Sequence, residues 1–245
     1  MRNNIFIPKY KKDGTFLRQI HSFIFRQRRL TTSQKNAIQK YWSCIGVNFQ
    51  DQLLNLSSIF NSNYQIVLEI GFGCGKTLIQ NAINFPKKNF LGIEVYKSGI
   101  GSCLNLAHIY QVKNLRIIYH DAVEVMKYMI PDNTLSIVQI FFPDPWNKKR
   151  HHKRRLVKKK FLEIIAKKLI INGILHVATD SKSYACYILN EIKDINEYQN
   201  LSKKNDFIPR PISRVMTKFE IKACIQGNSV FDLMFKLKNN ISDLT

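Results

Sequence analysis

The chain has 245 residues, 45% of them hydrophobic, which is enough for one substantial α/β domain and short for two. Its 38 Lys+Arg against 17 Asp+Glu give a formal net charge of +21, so a disordered acidic segment is excluded and a polyanionic partner is favoured, because neutralised phosphates release counterions. The five cysteines are scattered and odd in number with no CxxC pair, so neither a disulfide framework nor a zinc site is expected, and no metal. No apolar run approaches the ~18–20 residues of a membrane span, and the N-terminus lacks the apolar core of a signal peptide. A reducing, cytoplasmic compartment is the expected setting.

Residues 1–35 are basic with little periodicity and read as a flexible arm, leaving 36–245 as a single domain. Cations cluster at Lys9–Lys12, Arg26–Arg29 and Lys148–Lys160, where a uniform compositional bias would spread them. Thr31-Thr32-Ser33 can cap a helix running through Tyr41-Trp42. From Gln65 onward, strand-like runs alternate with helical stretches. The strands are expected at Ile66–Ile70, Asn89–Glu94, Leu115–Tyr119, Leu135–Phe142, Ile174–Ala178 and Val230–Leu237. Helices are expected over Leu78–Ile83, Ile100–Tyr110 and Val157–Leu169, the last stopping at Asn172-Gly173. Near-continuous apolar strands alternating with helices imply an α/β fold with a parallel sheet covered on both faces.

Leu68-Glu69-Ile70-Gly71-Phe72-Gly73-Cys74-Gly75 runs from a strand into a glycine-rich turn. A phosphate-binding P-loop would need its first glycine at Ile70, inside the strand, and a dinucleotide fingerprint would need glycine at Lys76. The remaining pattern, E-x-G-x-G-x-G, resembles motif I of the Rossmann-like S-adenosylmethionine-dependent methyltransferases, where the turn lies against the methionine part of the cofactor. Gly71, Gly73 and Gly75 are the candidate cofactor-binding glycines. Glu94 ends the next strand, where a carboxylate can accept both ribose hydroxyl hydrogens. Asp121-Ala122 ends the third, where Asp can accept from an adenine amino group and the backbone can meet the ring edge. Glu94 could instead pair with Lys97, and Asp121 could simply cap the helix at Ala122.

The most informative stretch is Phe141-Phe142-Pro143-Asp144-Pro145-Trp146 with the cations that follow, nine Lys or Arg among the thirteen residues from Lys148 to Lys160. A carboxylate in a rigid turn beside an indole suits gripping a flat polar ring, and a dense cation cluster suits phosphates. The competing reading is an edge loop with a solvated charge run.

These segments resemble the bacterial-type tRNA (guanine-N7)-methyltransferases over about Ser22 to Phe235. The resemblance rests on Phe142-Pro143-Asp144-Pro145-Trp146, Lys148–Leu156, Ala178-Thr179-Asp180, Arg210-Pro211 and Thr217-Lys218-Phe219-Glu220, with Arg26, Arg29, Thr32 and Gln34 upstream. It implies a class I methyltransferase fold with a mostly parallel seven-stranded sheet, S-adenosyl-L-methionine as cofactor, tRNA as partner and the variable-loop guanosine as acceptor. By the same resemblance Glu69, Glu94, Asp121 and Asp144 contact the cofactor or its surroundings, with Asp144 catalytic. Lys148, Asp180, Thr217, Lys218, Phe219 and Glu220 would hold the guanosine, and Arg150, His151, His152, Lys153, Arg154 and Arg155 the RNA. Departures include Asn147 for a usual proline, Lys76-Thr77 for an acidic-Ser pair, Arg28 for a common glycine, and Ala223 and Asn228 for a usual Gly and His. An exocyclic-amine methyltransferase of the N6-adenine type and a non-catalytic RNA-binding protein on the same fold are the alternatives.

Overall fold

The computed structural model describes residues 5–17, 19–24, 29–204 and 206–239. In chain order its elements are α1 (Thr32–Ile45), β1 (Gly46–Val47), α2 (Leu56–Phe60), β2 (Ile66–Ile70), α3 (Lys76–Asn84), β3 (Asn89–Glu94), α4 (Lys97–Ile109), β4 (Leu115–Tyr119) and α5 (Ala122–Tyr128). The second half holds β5 (Leu135–Phe141), a 3₁₀ helix (Lys149–Arg154), α6 (Lys159–Lys168), β6 (Leu169–Thr179), α7 (Lys182–Lys193), β7 (Tyr198–Asn200), α8 (Lys218–Ile225) and β8 (Phe231–Leu237). The strands form one sheet in the order β1-β4-β3-β2-β5-β6-β8-β7. Neighbours from β1 to β6 pair in parallel, and β8 runs antiparallel to both β6 and β7.

Both faces are covered, which is why the central strands read as unbroken apolar runs: every residue of β2 and β3 is buried. Alternate residues serve opposite layers. Ile66, Leu68 and Ile70 join the core beneath α5, α6 and α7, whereas Val67 joins Leu78, Ile100 and Leu104 beneath α3 and α4. α1 closes that second layer through Ala37, its start fixed by a capping box in which Thr31 and Gln34 satisfy each other's backbone N–H.

β2, β3 and β4 have the expected bounds, and the expected strand over 230–237 is β8. The sheet has eight strands where seven were expected; the two-residue β1 at the edge of β4 has no apolar run to announce it. The helix expected over 157–169 is shorter. α6 stops at Lys168, and Leu169 already pairs with Leu135. Pairing resumes at Ile137 with Ile174, and the intervening Asn172 takes φ 64°, so Asn172-Gly173 marks a strand irregularity and not a helix stop. β5 likewise ends one residue early, at Phe141, because Phe142 adopts φ 52°. α7 and α8 are not among the helices expected from the sequence.

The described part of the basic arm is anchored near its two ends, while residues 9–17 stay exposed. Ile5 and Phe23 are buried, and Tyr10 and Phe16 form an isolated antiparallel bridge. Arg26 and Arg28 lie outside the described residues. The strand order reverses between β2 and β5, so the crevice beyond their C-terminal ends is the topological switch point where open α/β sheets bind ligands.

Phe161, 1% exposed, anchors α6 to the sheet. Phe161→Ala is expected to lower unfolding free energy by about 3–5 kcal/mol, and Lys160→Ala on the exposed side of the same helix by less than about 0.5 kcal/mol, both read from urea titrations.

Candidate active site

The glycine turn after β2 is shaped by three left-handed residues, Gly71, Gly73 and Gly75, at φ 76°, 59° and 79°. They divide by role. A Cβ at Gly75 would strike Cys103 Sγ at 2.5 Å, so that position serves packing of the turn on α4. A Cβ at Gly71 or Gly73 would meet nothing within 4 Å, so those two face open space, where a ligand can approach the backbone. Lys76 opens α3 with its side chain exposed, so its charge is directed to solvent.

Glu94 holds the turn. It is 4% exposed, which is no place for a surface pair with Lys97. Its Oε2 accepts from Gly73 N at 2.7 Å, and its Oε1 accepts from Val95 N at 2.6 Å and Tyr96 N at 2.9 Å. An ionised carboxylate offers about four acceptor positions, so about one remains for a ribose hydroxyl where two were expected. Burial raises the Glu94 carboxyl above its ordinary range; the three N–H donors oppose that shift, and nearby Asp144 adds to it.

Glu69, on β2 beside this turn, is also 4% exposed. Burial, and then the charge of Glu94, push its carboxyl up to about 8. Its Oε2 is buried with no hydrogen-bond partner among the described residues. Gln139, the residue opposite Glu69 on β5, carries a second such oxygen, Oε1. Gln139 was not singled out from the sequence, although a Gln inside the run Leu135–Phe141 is the signal that could have found it. Buried acceptors without donors are expensive to maintain and point to a ligand that supplies positive charge or hydrogen-bond donors.

Asp121 does cap α5: its Oδ1 accepts from Val123 N at 2.8 Å. It also meets the arm. Asp121 N donates to Ile5 O at 2.7 Å, and Oδ2 lies 3.3 Å from His21 Nδ1. His21 is flanked by Phe6 and Phe23, with ring centroids 4.4 and 5.2 Å away. Farther along, Tyr96 Oη donates to Ile24 O at 3.1 Å and Trp146 Nε1 donates to Ser22 O at 3.2 Å. The arm thus reaches the segments that follow β4, β5 and β3, a placement that its composition does not announce.

Asp144 is exposed at the crest of the turn after β5. Phe142 and Trp146, at φ 52° and 50°, bracket Pro143-Asp144-Pro145 with left-handed backbone, a conformation unfavourable for aromatic residues and concentrated at functional sites. The Trp146 indole is not an open plate: the Arg154 guanidinium lies 4.9 Å from its ring centre, and His151 meets it edge-on at 5.9 Å. Lys148 caps the 3₁₀ helix that carries the basic run, and Lys148, Arg150 and Lys153 are exposed, with His151, His152 and Arg154 half-buried. Arg155 departs from the expected RNA contact. It is 2% exposed, with its guanidinium turned into the protein.

On the other side of the crevice, Asp180 is exposed at the end of β6. Thr217 caps α8 by accepting from Glu220 N at 3.1 Å. Lys218 and Phe219 are exposed, and the Phe219 ring is stacked 6.2 Å from that of Phe142. Glu220, expected to contact substrate, is 1% exposed and fully engaged. Arg214 Nη1 donates to its Oε2 at 2.6 Å and Nη2 to its Oε1 at 2.8 Å, while Arg210 Nε donates to Oε1 at 2.6 Å. Burial alone would raise the Glu220 carboxyl, but Arg214 and Arg210 outweigh it and hold the group below its ordinary value. Arg214 Nη2 also donates to Asp232 Oδ2 at 2.9 Å, and its Nε lies 2.8 Å from Oδ1, too bent for a hydrogen bond. His176 Nε2 is 2.7 Å from that same Oδ1. Glu220 therefore fixes the first turn of α8, which presents Thr217, Lys218 and Phe219.

The arrangement is a crevice with buried acids on the β2–β3–β4 side, an exposed carboxylate on a strained turn at its centre, and cations on the far rim. Residues 63–233 match the family model described as "Putative methyltransferase". Over 238 residues, 97% of this chain and 100% of the relative, the chain is 68% identical to a protein named tRNA (guanine-N(7)-)-methyltransferase from Buchnera aphidicola subsp. Acyrthosiphon pisum (strain 5A). Over the same shares it is 47% identical to the protein of that name from Yersinia pestis (strain Pestoides F). Among solved structures, the 16S rRNA methyltransferase KamB superposes with a TM-score of 0.56 at 13% identity, covering 77% of this chain and 95% of that one. This last likeness is one of fold alone. By its sequence along nearly its whole length, the chain belongs to the tRNA (guanine-N7)-methyltransferase family.

Proposed function

We propose that this protein transfers the methyl group of S-adenosylmethionine to N7 of a guanosine in tRNA, the variable-loop guanosine. The observation that carries the reading is the buried, unpartnered Glu69 oxygen beside Glu94 and the open glycines Gly71 and Gly73. A phosphate-bearing cofactor would be repelled by these acids, whereas a cationic one without phosphate fits them. S-adenosylmethionine, when bound, supplies an electrophilic methyl group on a sulfonium. Glu69, Glu94, Asp121 and the backbone at Ala122 would hold it.

Guanine N7 carries a free lone pair, so no general base is needed to create the nucleophile. What the protein supplies is alignment, which can contribute about 7–11 kcal/mol to lowering the barrier. Methylation leaves a cation spread over the purine, so a carboxylate held nearby stabilises the transition state more than the ground state. Asp144 is the group for that role. Asp180, Lys148, Thr217, Lys218 and Phe219 frame the guanosine, and Arg150, His151, His152, Lys153 and Arg154 take phosphates. Residues 36–245 act in this reading as one catalytic domain, with Ile5 and the segment His21–Ile24 of the arm placed beside its crevice. No helix among the described residues is long and apolar enough to cross a membrane, and a cytoplasmic site of action suits a tRNA-modifying enzyme.

Incubation with labelled S-adenosylmethionine and bulk unmodified tRNA should place the label in N7-methylguanosine. Label in N6-methyladenosine, or cofactor binding without transfer, would contradict the reading in favour of the amine-methylating or the non-catalytic alternative. Asp144→Asn should lower turnover about a hundredfold or more while cofactor affinity changes far less. Equal losses would make Asp144 a structural turn residue. Glu94→Gln should weaken cofactor binding about ten- to a hundredfold in calorimetry, since it removes charge-assisted acceptors that shape the glycine turn; unchanged affinity would contradict the role given to Glu94.

A further inference from the structure

We infer that Arg155 is a positioning residue for the catalytic turn, tying it to the helix that follows Asp180, and not a phosphate contact like its neighbours. The inference rests on the reading of Asp144 as the group that faces guanine. Arg155 closes the 3₁₀ helix, its N–H donating to His152 O at 2.9 Å. Its side chain is buried, and a buried guanidinium needs compensation for lost water. That compensation comes from three directions. Nε donates to Pro145 O at 3.0 Å. Nη2 lies 3.1 Å from His152 Nε2 and can only donate, so the ring nitrogen is the accepting partner of that contact. The cation also sits 4.9 Å from the Tyr184 ring centre and 4.6 Å from that of Tyr187.

These partners join two parts of the site. Pro145 directly follows Asp144, and the next residue, Trp146, is already held in left-handed backbone. Tyr184 and Tyr187 lie on α7, whose cap Ser181 directly follows Asp180. Tyr184 is fully buried, and its Oη accepts from Val157 N at 3.1 Å, so that face of α7 is a fixed reference. Arg155 therefore sets where the Asp144 turn stands relative to the strand end bearing Asp180. It also ends the basic run, so the segment that would take tRNA phosphates is mechanically continuous with the peptide beside the reacting base.

Arg155→Lys keeps the charge but cannot span Pro145 O, His152 and both tyrosine rings; Arg155→Met keeps most of the stem and removes every donor. In the full-length protein, both should lower kcat at saturating tRNA about ten- to a hundredfold, as misplacement of a reacting group by about 1 Å does. S-adenosylmethionine affinity, tRNA affinity and the log–log salt slope of tRNA binding should stay within twofold or parallel to wild type. A phosphate contact would behave oppositely. Arg155→Lys would then be near wild type, while Arg155→Met would weaken tRNA binding and flatten the slope by somewhat under one unit with kcat kept, and that result overturns the proposal. Unchanged kcat in both variants overturns it as well. If Arg155→Met does not fold, Arg155→Lys alone decides, through kcat against tRNA affinity. Asp144→Asn measured alongside separates the two ideas: full turnover in that variant removes the underlying reading, whatever Arg155 does.

Discussion

Two carboxylates buried near each other on adjacent strands, Glu69 on β2 and Glu94 at the end of β3, are the constraint around which the crevice is built. Burial raises both above their ordinary values, and each is affected by a further acid, Glu69 by Glu94 and Glu94 by Asp144. Glu94 is kept in place by the N–H groups of Gly73, Val95 and Tyr96, and in return it fixes the glycine turn. Close packing follows from the same geometry. A Cβ at Gly99 on α4 would lie 2.2 Å from Gly73 O, so helix and turn touch backbone to backbone. The crevice is left short of positive charge, and a cationic cofactor is what such a deficit favours.

On the opposite side of the crevice the buried charges are paired within the protein. Arg214 is buried with Glu220 and Asp232, every formal charge facing an opposite one, and the Phe141 ring centre is 5.7 Å from its guanidinium. A paired cluster of this kind adds little net stability over apolar packing, but removing one member is severe because it strands the others. Its value here is geometric. It joins β8, α8 and the loop before α8 beneath the last residue of β5, and so holds Thr217, Lys218 and Phe219 across from Asp144. One buried charge group is paired within the protein and holds structure; the other leaves Glu69 Oε2 without a partner among the described residues.

Much of this was legible in the sequence, and for stated reasons. Central parallel strands covered on both faces announce themselves by composition, and β2, β3 and β4 were placed to the residue. The glycine spacing and the acids at successive strand ends point to the crevice at the C-terminal ends of β2, β3 and β4. What was hidden depends on contacts far apart in the chain. Asn172-Gly173 looks like a helix stop from local chemistry, and only pairing of Leu169 with Leu135 shows that a strand has already begun. Arg155 shares the chemistry of its exposed neighbours, so nothing in the charge run tells which member turns inward; at Glu220 the Thr217-x-x-Glu220 spacing marks a capping box, but the pairing with Arg214 shows only in the fold. Trp146 reads as an open stacking surface until Arg154 and the carbonyl of Ser22 are placed against it. The arm reads as unstructured because its anchors, Ile5 to Asp121 and Ile7 to Glu124, lie more than a hundred residues apart.

Glu69, its carboxyl pushed up to about 8 by burial and then by the charge of Glu94, gives up its proton when a cation enters the crevice. Because the folded-state value of Glu69 is raised, the protein without cofactor loses stability as pH rises from the ordinary Glu range through about 8, where the unfolded chain binds fewer protons. A bound cation favours ionised Glu69, which makes S-adenosylmethionine affinity rise with pH over that window and level off above it. Calorimetry at pH 7 in buffers of different ionisation enthalpy measures the proton directly. Release of about one proton per S-adenosylmethionine bound is expected for the unsubstituted protein, and markedly less for Glu69→Gln. Binding without proton release, with an affinity flat from pH 5 to 8, would contradict it.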